Sequence, residues 1–245
     1  MQFFQDLNIK IFADGADLNS IQKLSCKSWI QGFTTNPTLM RQSGVIDYET
    51  FAKKALAIVD NKPISFEVFA DEFEEMEEQA HEIASWGSNI YVKIPITNTK
   101  GISSVPLIKK LSNAGIQVNV TAVFTQKQVD EVVENICESV PSILSIFAGR
   151  IADTGRDPRR YVEEAIKKSK NKKIEVLWAS PREILNLVQA NEIGCHIITL
   201  TDSLLKKALL IGKPLEQYSQ ETVQMFYNDA KDSEYSIASK CKVVL

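Results

Sequence analysis

Apolar and polar positions along this chain switch between two periods. Short runs rich in β-branched and aromatic residues recur at Lys10–Ala13, Gly32–Thr35, Ile64–Phe69, Ile90–Ile94, Gln117–Phe124, Ile143–Phe147, Ile174–Trp178 and His196–Leu200. Several are apolar on both faces, as parallel strands covered by helices are. Between them lie stretches with apolar residues at helical spacing. In Phe73–Ala84, one face carries Phe73, Met76, Ala80 and Ile83, while Glu74, Glu75, Glu77 and Glu78 fall mostly elsewhere. Thr125-Gln126-Lys127-Gln128 has the signature of a capping box ahead of Val129, Val132, Val133 and Ile136. Asp157-Pro158 and Asp202 mark further helix starts, and Gly194 and Gly212 mark helix ends.

Eight strands alternating with helices predict an α/β protein with a parallel sheet and crossover helices. A closed (β/α)8 TIM barrel takes that count without remainder, so residues 1–215 are expected to form a barrel catalytic domain. Residues 216–245 add a helix over Glu221–Ala230 and a polar tail ending Ser239-Lys240-Cys241-Lys242-Val243-Val244-Leu245. This C-terminal extension is read as part of the same domain or as an oligomer contact.

Composition narrows the setting. The chain has 245 residues, 28 Lys+Arg against 31 Asp+Glu, and 44% hydrophobic residues, which fits a folded soluble protein and not a disordered one. The near-balanced charge calls for neither nucleic acid nor a membrane surface as partner. No run approaches the ~18 apolar residues of a membrane span, and the N-terminal residues lack a signal-peptide pattern. Cys26, Cys137, Cys195 and Cys241 are scattered with no C-x-x-C pair, as expected of reduced thiols in the cytoplasm.

Active sites of such barrels lie at the C-terminal strand ends. The residues there are Asp14, Asn36, Glu67, Lys93, Thr121, Phe147 with Arg150, Ser180, and Thr201 or Asp202. Lys93 is the sharpest of them, because Ile90-Tyr91-Val92-Lys93-Ile94-Pro95 otherwise belongs in an interior. Burial disfavours an ammonium, and a neutral amine attacks a carbonyl to form a Schiff base. The structural alternative is a lysine that snorkels out or pairs with a carboxylate. Asp14 and Glu67 end two other strands and supply acid/base groups of the kind imine chemistry needs; Asp14 also suits a helix cap or turn. Glu67, between Phe66 and Val68, is costly unless paired.

Asn36 reads as a hydroxyl-binding group or as a turn residue before Pro37. Asn119 and Thr121 are two apart and so share a strand face. Ser180-Pro181-Arg182-Glu183 predicts a capping box with Pro at the first helical position, which also makes an anion site. Arg150 either adds a second guanidinium there or pairs with Asp153 or Asp157. His81 and His196 stand apart from any metal-type cluster, and no glycine-rich nucleotide loop is present. Neither a metal nor a cofactor is called for, and the reading is Schiff-base chemistry on a phosphorylated carbonyl compound.

Five ordered motifs then resemble one family: Thr34-Thr35-Asn36-Pro37-Thr38, Tyr91-Val92-Lys93-Ile94-Pro95, Asn119-Val120-Thr121-Ala122-Val123-Phe124, Phe147-Ala148-Gly149-Arg150-Ile151 and Ala179-Ser180-Pro181-Arg182. In order and spacing they are similar to the transaldolases, closest to the short subfamily that includes fructose-6-phosphate aldolase. The resemblance implies a metal-independent class I mechanism. On it, Lys93 is the Schiff-base lysine, Asp14 handles the C4 hydroxyl proton, and Glu67 with Thr121 handles a catalytic water. Asn36, Asn119 and Ser145 bind dihydroxyacetone hydroxyls, and Arg150, Ser180 and Arg182 bind phosphate. The family reaction moves a dihydroxyacetone unit from sedoheptulose 7-phosphate to glyceraldehyde 3-phosphate, giving erythrose 4-phosphate and fructose 6-phosphate. Glu67 and Phe147 match the transaldolase branch, where the aldolase branch carries Gln and Tyr and releases free dihydroxyacetone. The resemblance also implies a homo-oligomer, in related proteins often a decamer. Ala13-Asp14-Gly15-Ala16 departs from the family's usual L-D-T-A start, Pro181 is unusual in its loop, and the tail beyond Tyr235 has no counterpart.

Overall fold

A computed structural model describes Phe4 and residues 7–237; Cys241 and the tail from Ser239 lie outside the described residues. Eight parallel strands close on themselves in sequence order: β1 (Lys10–Asp14), β2 (Ile30–Thr34), β3 (Ile64–Glu67), β4 (Ile90–Pro95), β5 (Val118–Val123), β6 (Ser142–Ile146), β7 (Ile174–Trp178) and β8 (Ile197–Thr201). The helices that return the chain are α1 (Leu18–Ser25), α2 (Pro37–Gln42), α3 (Tyr48–Val59), α4 (Phe73–Ser85), α5 (Val105–Asn113), α6 (Gln126–Asn135), α7 (Ala148–Ala152), α8 (Arg159–Ser169), α9 (Leu185–Glu192) and α10 (Asp202–Lys207). The expected TIM barrel is present. No helix among the described residues is long and apolar enough to cross a membrane.

The strands are buried on both faces: β6 entirely, and β5 and β8 at all but one position each. Helices cover the outside, and side chains fill the inside. Phe12, Ile143, Leu177, Ala179 and Ile197 form one interior cluster, with Tyr91 and Phe147 packed on it. Phe12 lies against Gly32 across the β1–β2 pair, where an added Cβ would stand 2.5 Å from the ring. A glycine is required there because the phenyl ring occupies the space of its side chain.

The helix signals were only partly realised. Thr125 accepts from the Gln128 N–H, and the Gln128 side chain accepts from the Thr125 N–H, completing the capping box of α6. α4 buries Met76, Ala80 and Ile83, its expected face. Ser180 does not cap a helix. It has φ of 59°, outside the extended region an N-cap occupies, and α9 begins only at Leu185. No side chain caps α9; Asn186 within it instead holds the loop, its Oδ1 accepting from the Arg182 and Glu183 amides at 2.8 and 3.2 Å. α8 likewise starts at Arg159, one residue beyond Pro158, with Asp157 accepting from the Arg159 N–H.

A second compact unit begins at Leu209. Its helix α11 (Leu215–Asp232) buries no residue and exposes Leu215, Tyr218, Val223, Met225, Phe226 and Tyr227.

Gly32→Ala should destabilise the barrel by about 1–3 kcal/mol, because Phe12 is fully enclosed and cannot yield without repacking. Denaturant unfolding tests this; an unchanged midpoint would show that the ring is free to move.

Candidate active site

Strand register decides which side chains meet. Glu67 on β3 lies beside Lys93 on β4, and Lys93 lies beside Asn119 on β5. Neighbours in register in a parallel sheet point the same way, so all three project inward at one level. Lys93 sits two residues inside the end of β4, deeper than a strand-terminal position, and is only 7% exposed. Its ammonium-type nitrogen donates to the Thr35 carbonyl at 2.9 Å and meets Glu67 Oε2 at 3.0 Å. The carboxylate-paired lysine considered from sequence is thus present, and its partner is the acid proposed for the chemistry.

Asn119 is fixed at both ends. Its amide donates to Ser65 Oγ at 3.0 Å, and its Oδ1 accepts from Ser145 Oγ at 2.7 Å. Ser145 has therefore spent its proton and faces the cavity as an acceptor. Thr121 lies next to Ala122, whose φ of 57° falls where β5 loses register with β6. A bulge of this kind re-aims the strand end.

Asp14 ends β1, and the helix cap that it was a candidate for belongs to Asp17, which accepts from the Ser20 N–H. Asp14 Oδ1 instead accepts from Thr34 Oγ1 at 2.7 Å, and Thr34 Oγ1 stands 2.5 Å from Thr199 Oγ1. Burial pushes the Asp14 carboxyl above the usual carboxylate range and the nearby Glu67 charge adds to this, while Lys93 and the Thr34 hydrogen bond pull it down. Asn36 caps α2 through the Leu39 amide at 2.9 Å, with Pro37 at the first helical position.

The opposite rim is basic. Arg150 is exposed with its guanidinium 5.8 Å from the Phe147 ring centre; the Asp153 and Asp157 partners considered for it are taken by Arg182 and Arg159. Arg182 Nε donates to Asp153 Oδ1 at 3.0 Å, and a second guanidinium nitrogen closes the fork. Gly149 lets α7 approach the following loop: a Cβ there would fall 1.5 Å from the Ser180 carbonyl oxygen.

The eleven residues to which the resemblance gave roles or a distinguishing identity all line one cavity of about 600 Å³ at the C-terminal mouth of the barrel. Thr34, Thr199 and Thr201 also line it, and Ser65 holds Asn119 from below. Thr201 was one of the two residues expected at the end of the eighth strand, whereas Thr34, Thr199 and Ser65 were given no site role. The signal for Thr199 was its period-two alternation with Thr201 within Ile197-Ile198-Thr199-Leu200-Thr201. Among the described residues, no three His, Cys, Asp or Glu side chains gather as a metal site.

A family model described as transaldolase/fructose-6-phosphate aldolase matches residues 11–237. The chain belongs to that family. A "Probable transaldolase" of Bdellovibrio bacteriovorus is 31% identical over 223 residues, covering 90% of this chain and 97% of its own. A "Probable transaldolase 2" of Listeria monocytogenes is 35% identical over 201 residues, covering 81% and 88%. Solved structures show the same fold at low identity. The 2,3-dimethylmalate lyase of the PEP mutase/isocitrate lyase superfamily matches with TM-score 0.54 at 12% identity, covering 99% of this chain and 90% of its own. KGPDC from Streptococcus mutans matches with TM-score 0.52 at 12% identity, covering 80% and 88%. Family membership makes this chain an enzyme of the transaldolase/aldolase type, and the cavity at the barrel mouth is its candidate active site.

Because burial raises the Asp14 carboxyl in the fold, ionising it weakens the native state. Its contribution to stability falls as pH rises from the ordinary carboxylate range through the native value, and the loss is complete above it. Asp14→Asn should therefore be more stable than the wild type at neutral pH, with the difference closing below about pH 4. Denaturant midpoints across that range measure this; a variant less stable at neutral pH contradicts it.

Proposed function

We propose that the protein is a transaldolase that carries a dihydroxyacetone unit on Lys93 between phosphorylated sugars. The observation that carries the reading is the buried Lys93 nitrogen at 3.0 Å from Glu67 in a cavity shared with Asp14. In this mechanism Glu67 accepts the proton that Lys93 must lose, and the free amine attacks the C2 carbonyl of the ketose. Proton return from Glu67, with Thr121 holding the water, lets the carbinolamine lose water and become an imine. Asp14 removes the C4 hydroxyl proton, the C3–C4 bond breaks, and its electron pair moves into the enamine as the aldehyde leaves. An acceptor aldehyde adds by the reverse of these steps, and water then releases the new ketose and returns Lys93.

The other residues fit that course. Asn119 and Ser145, already locked to each other, offer the hydroxyls of the three-carbon unit an acceptor, and Asn36 borders the same space. Arg150, Arg182 and Ser180 suit the phosphate of the sugar. Phe147 puts a ring without a hydroxyl against the cavity, which supports transfer over release because nothing on that side chain can protonate the enamine or hold water for it. The same reading expects a cytoplasmic enzyme that works without metal or cofactor. It also expects a homo-oligomer whose copies meet through the apolar side chains of α11. Light scattering should show a multimer that Phe226→Asp dissociates; a monomeric wild type argues against it.

Borohydride trapping with fructose 6-phosphate, followed by peptide mapping, tests the proposal. A three-carbon adduct is expected on Lys93, discharged by erythrose 4-phosphate and absent in Lys93→Ala. An adduct that turns over without any acceptor would favour the aldolase reading, and no adduct at any lysine would defeat both.

A further inference from the structure

We propose that Thr199 is a positioning residue for the general base, acting through Thr34 to set which oxygen of Asp14 works on the substrate. This rests on the Schiff-base reading above. Proton counting gives the direction of the chain. An ionised Asp14 can only accept, so the single Thr34 hydroxyl proton goes to Asp14 Oδ1 at 2.7 Å. The 2.5 Å contact between Thr34 and Thr199 then has one available donor, Thr199. Thr199 is 5% exposed, and its hydroxyl has no other hydrogen-bond partner among the described residues. At the cavity wall its hydroxyl makes that one hydrogen bond, where a valine would fill the same volume.

The strand register makes the arrangement feasible. Asp14 pairs with Thr34 on β2, and Phe12, two residues earlier, pairs with Thr199 on β8. Thr34 is therefore held from the β8 side while it holds Asp14 from the β2 side. With Oδ1 committed to Thr34, Oδ2 is the oxygen left to take the hydroxyl proton. A hydroxyl that accepts one hydrogen bond donates a stronger one, so Thr199 also favours the ionised, basic form of Asp14. The charged groups acting on Asp14 are Lys93 on β4, which favours ionisation, and Glu67 on β3, which opposes it. Asp17 and Asp202 line the adjoining hollow with Asp14.

The test is single-turnover kinetics on full-length protein with fructose 6-phosphate, comparing Thr199→Val, Thr199→Ala and Thr199→Ser with the wild type. Two rates are read across pH: formation of the borohydride-trappable adduct, and release of glyceraldehyde 3-phosphate. In Thr199→Val, adduct formation should stay within about twofold of wild type while aldehyde release slows about tenfold, the order a general base supplies or less. The acid limb of release should move to higher pH, and Thr199→Ser should restore both features. Thr199→Ala gives the same comparison should the valine variant not fold. Unchanged release with an unchanged acid limb would overturn the inference, as would equal loss of both rates without rescue by serine. Absence of a wild-type adduct would instead defeat the Schiff-base reading and the relay with it.

Discussion

The site is organised around one constraint: a primary amine is held in a barrel interior, where a charge without a partner is expensive. The fold answers with a carboxylate on the adjacent strand, in register, and the main-chain carbonyl of Thr35 just past the end of β2. That answer serves structure and chemistry together. Glu67 offsets the burial of the amine and, on the proposed mechanism, takes its proton. The same register brings Asn119 alongside, so carboxylate, amine and amide are set by three consecutive strands of one sheet. Loops contribute little to this half of the cavity, which favours rigidity where, on the proposed mechanism, the covalent bond forms.

The remaining half is built differently. Arg150 and Arg182 come from segments that follow β6 and β7, and the two segments touch where only Gly149 permits it. Ser180 adopts a left-handed backbone at that contact, a conformation that a non-glycine residue holds only when its surroundings over-determine it. The lysine-bearing and arginine-bearing halves therefore rest on different kinds of support: sheet register on one side, a close main-chain approach on the other.

Sequence patterning reaches the sheet half far better than the loop half. Eight alternating units and their strand-terminal polar residues are written in the local period, so the barrel and the convergence of Asp14, Glu67, Lys93 and Asn119 were legible. Ser180-Pro181-Arg182-Glu183 carried a strong local capping pattern, yet the chain packs against α7 there, and Asn186 of α9 holds the Arg182 and Glu183 amides while no side chain caps the helix. Thr34 and Thr199 were hidden for another reason. A threonine within a strand is ordinary, and what distinguishes these two is a contact between β2 and β8 that joins positions 165 residues apart in the chain.

The pairing of Arg182 with Asp153 has its own consequence. A guanidinium waiting in open solvent would have to shed water to meet a phosphate, whereas this one waits on a carboxylate already set in fork geometry. On the phosphate reading, ligand capture becomes an exchange of one anion for another, with Asp153 acting as a tethered counter-ion. When the product departs, the carboxylate reclaims Arg182, so on this reading the enzyme carries its own competitor for that arginine.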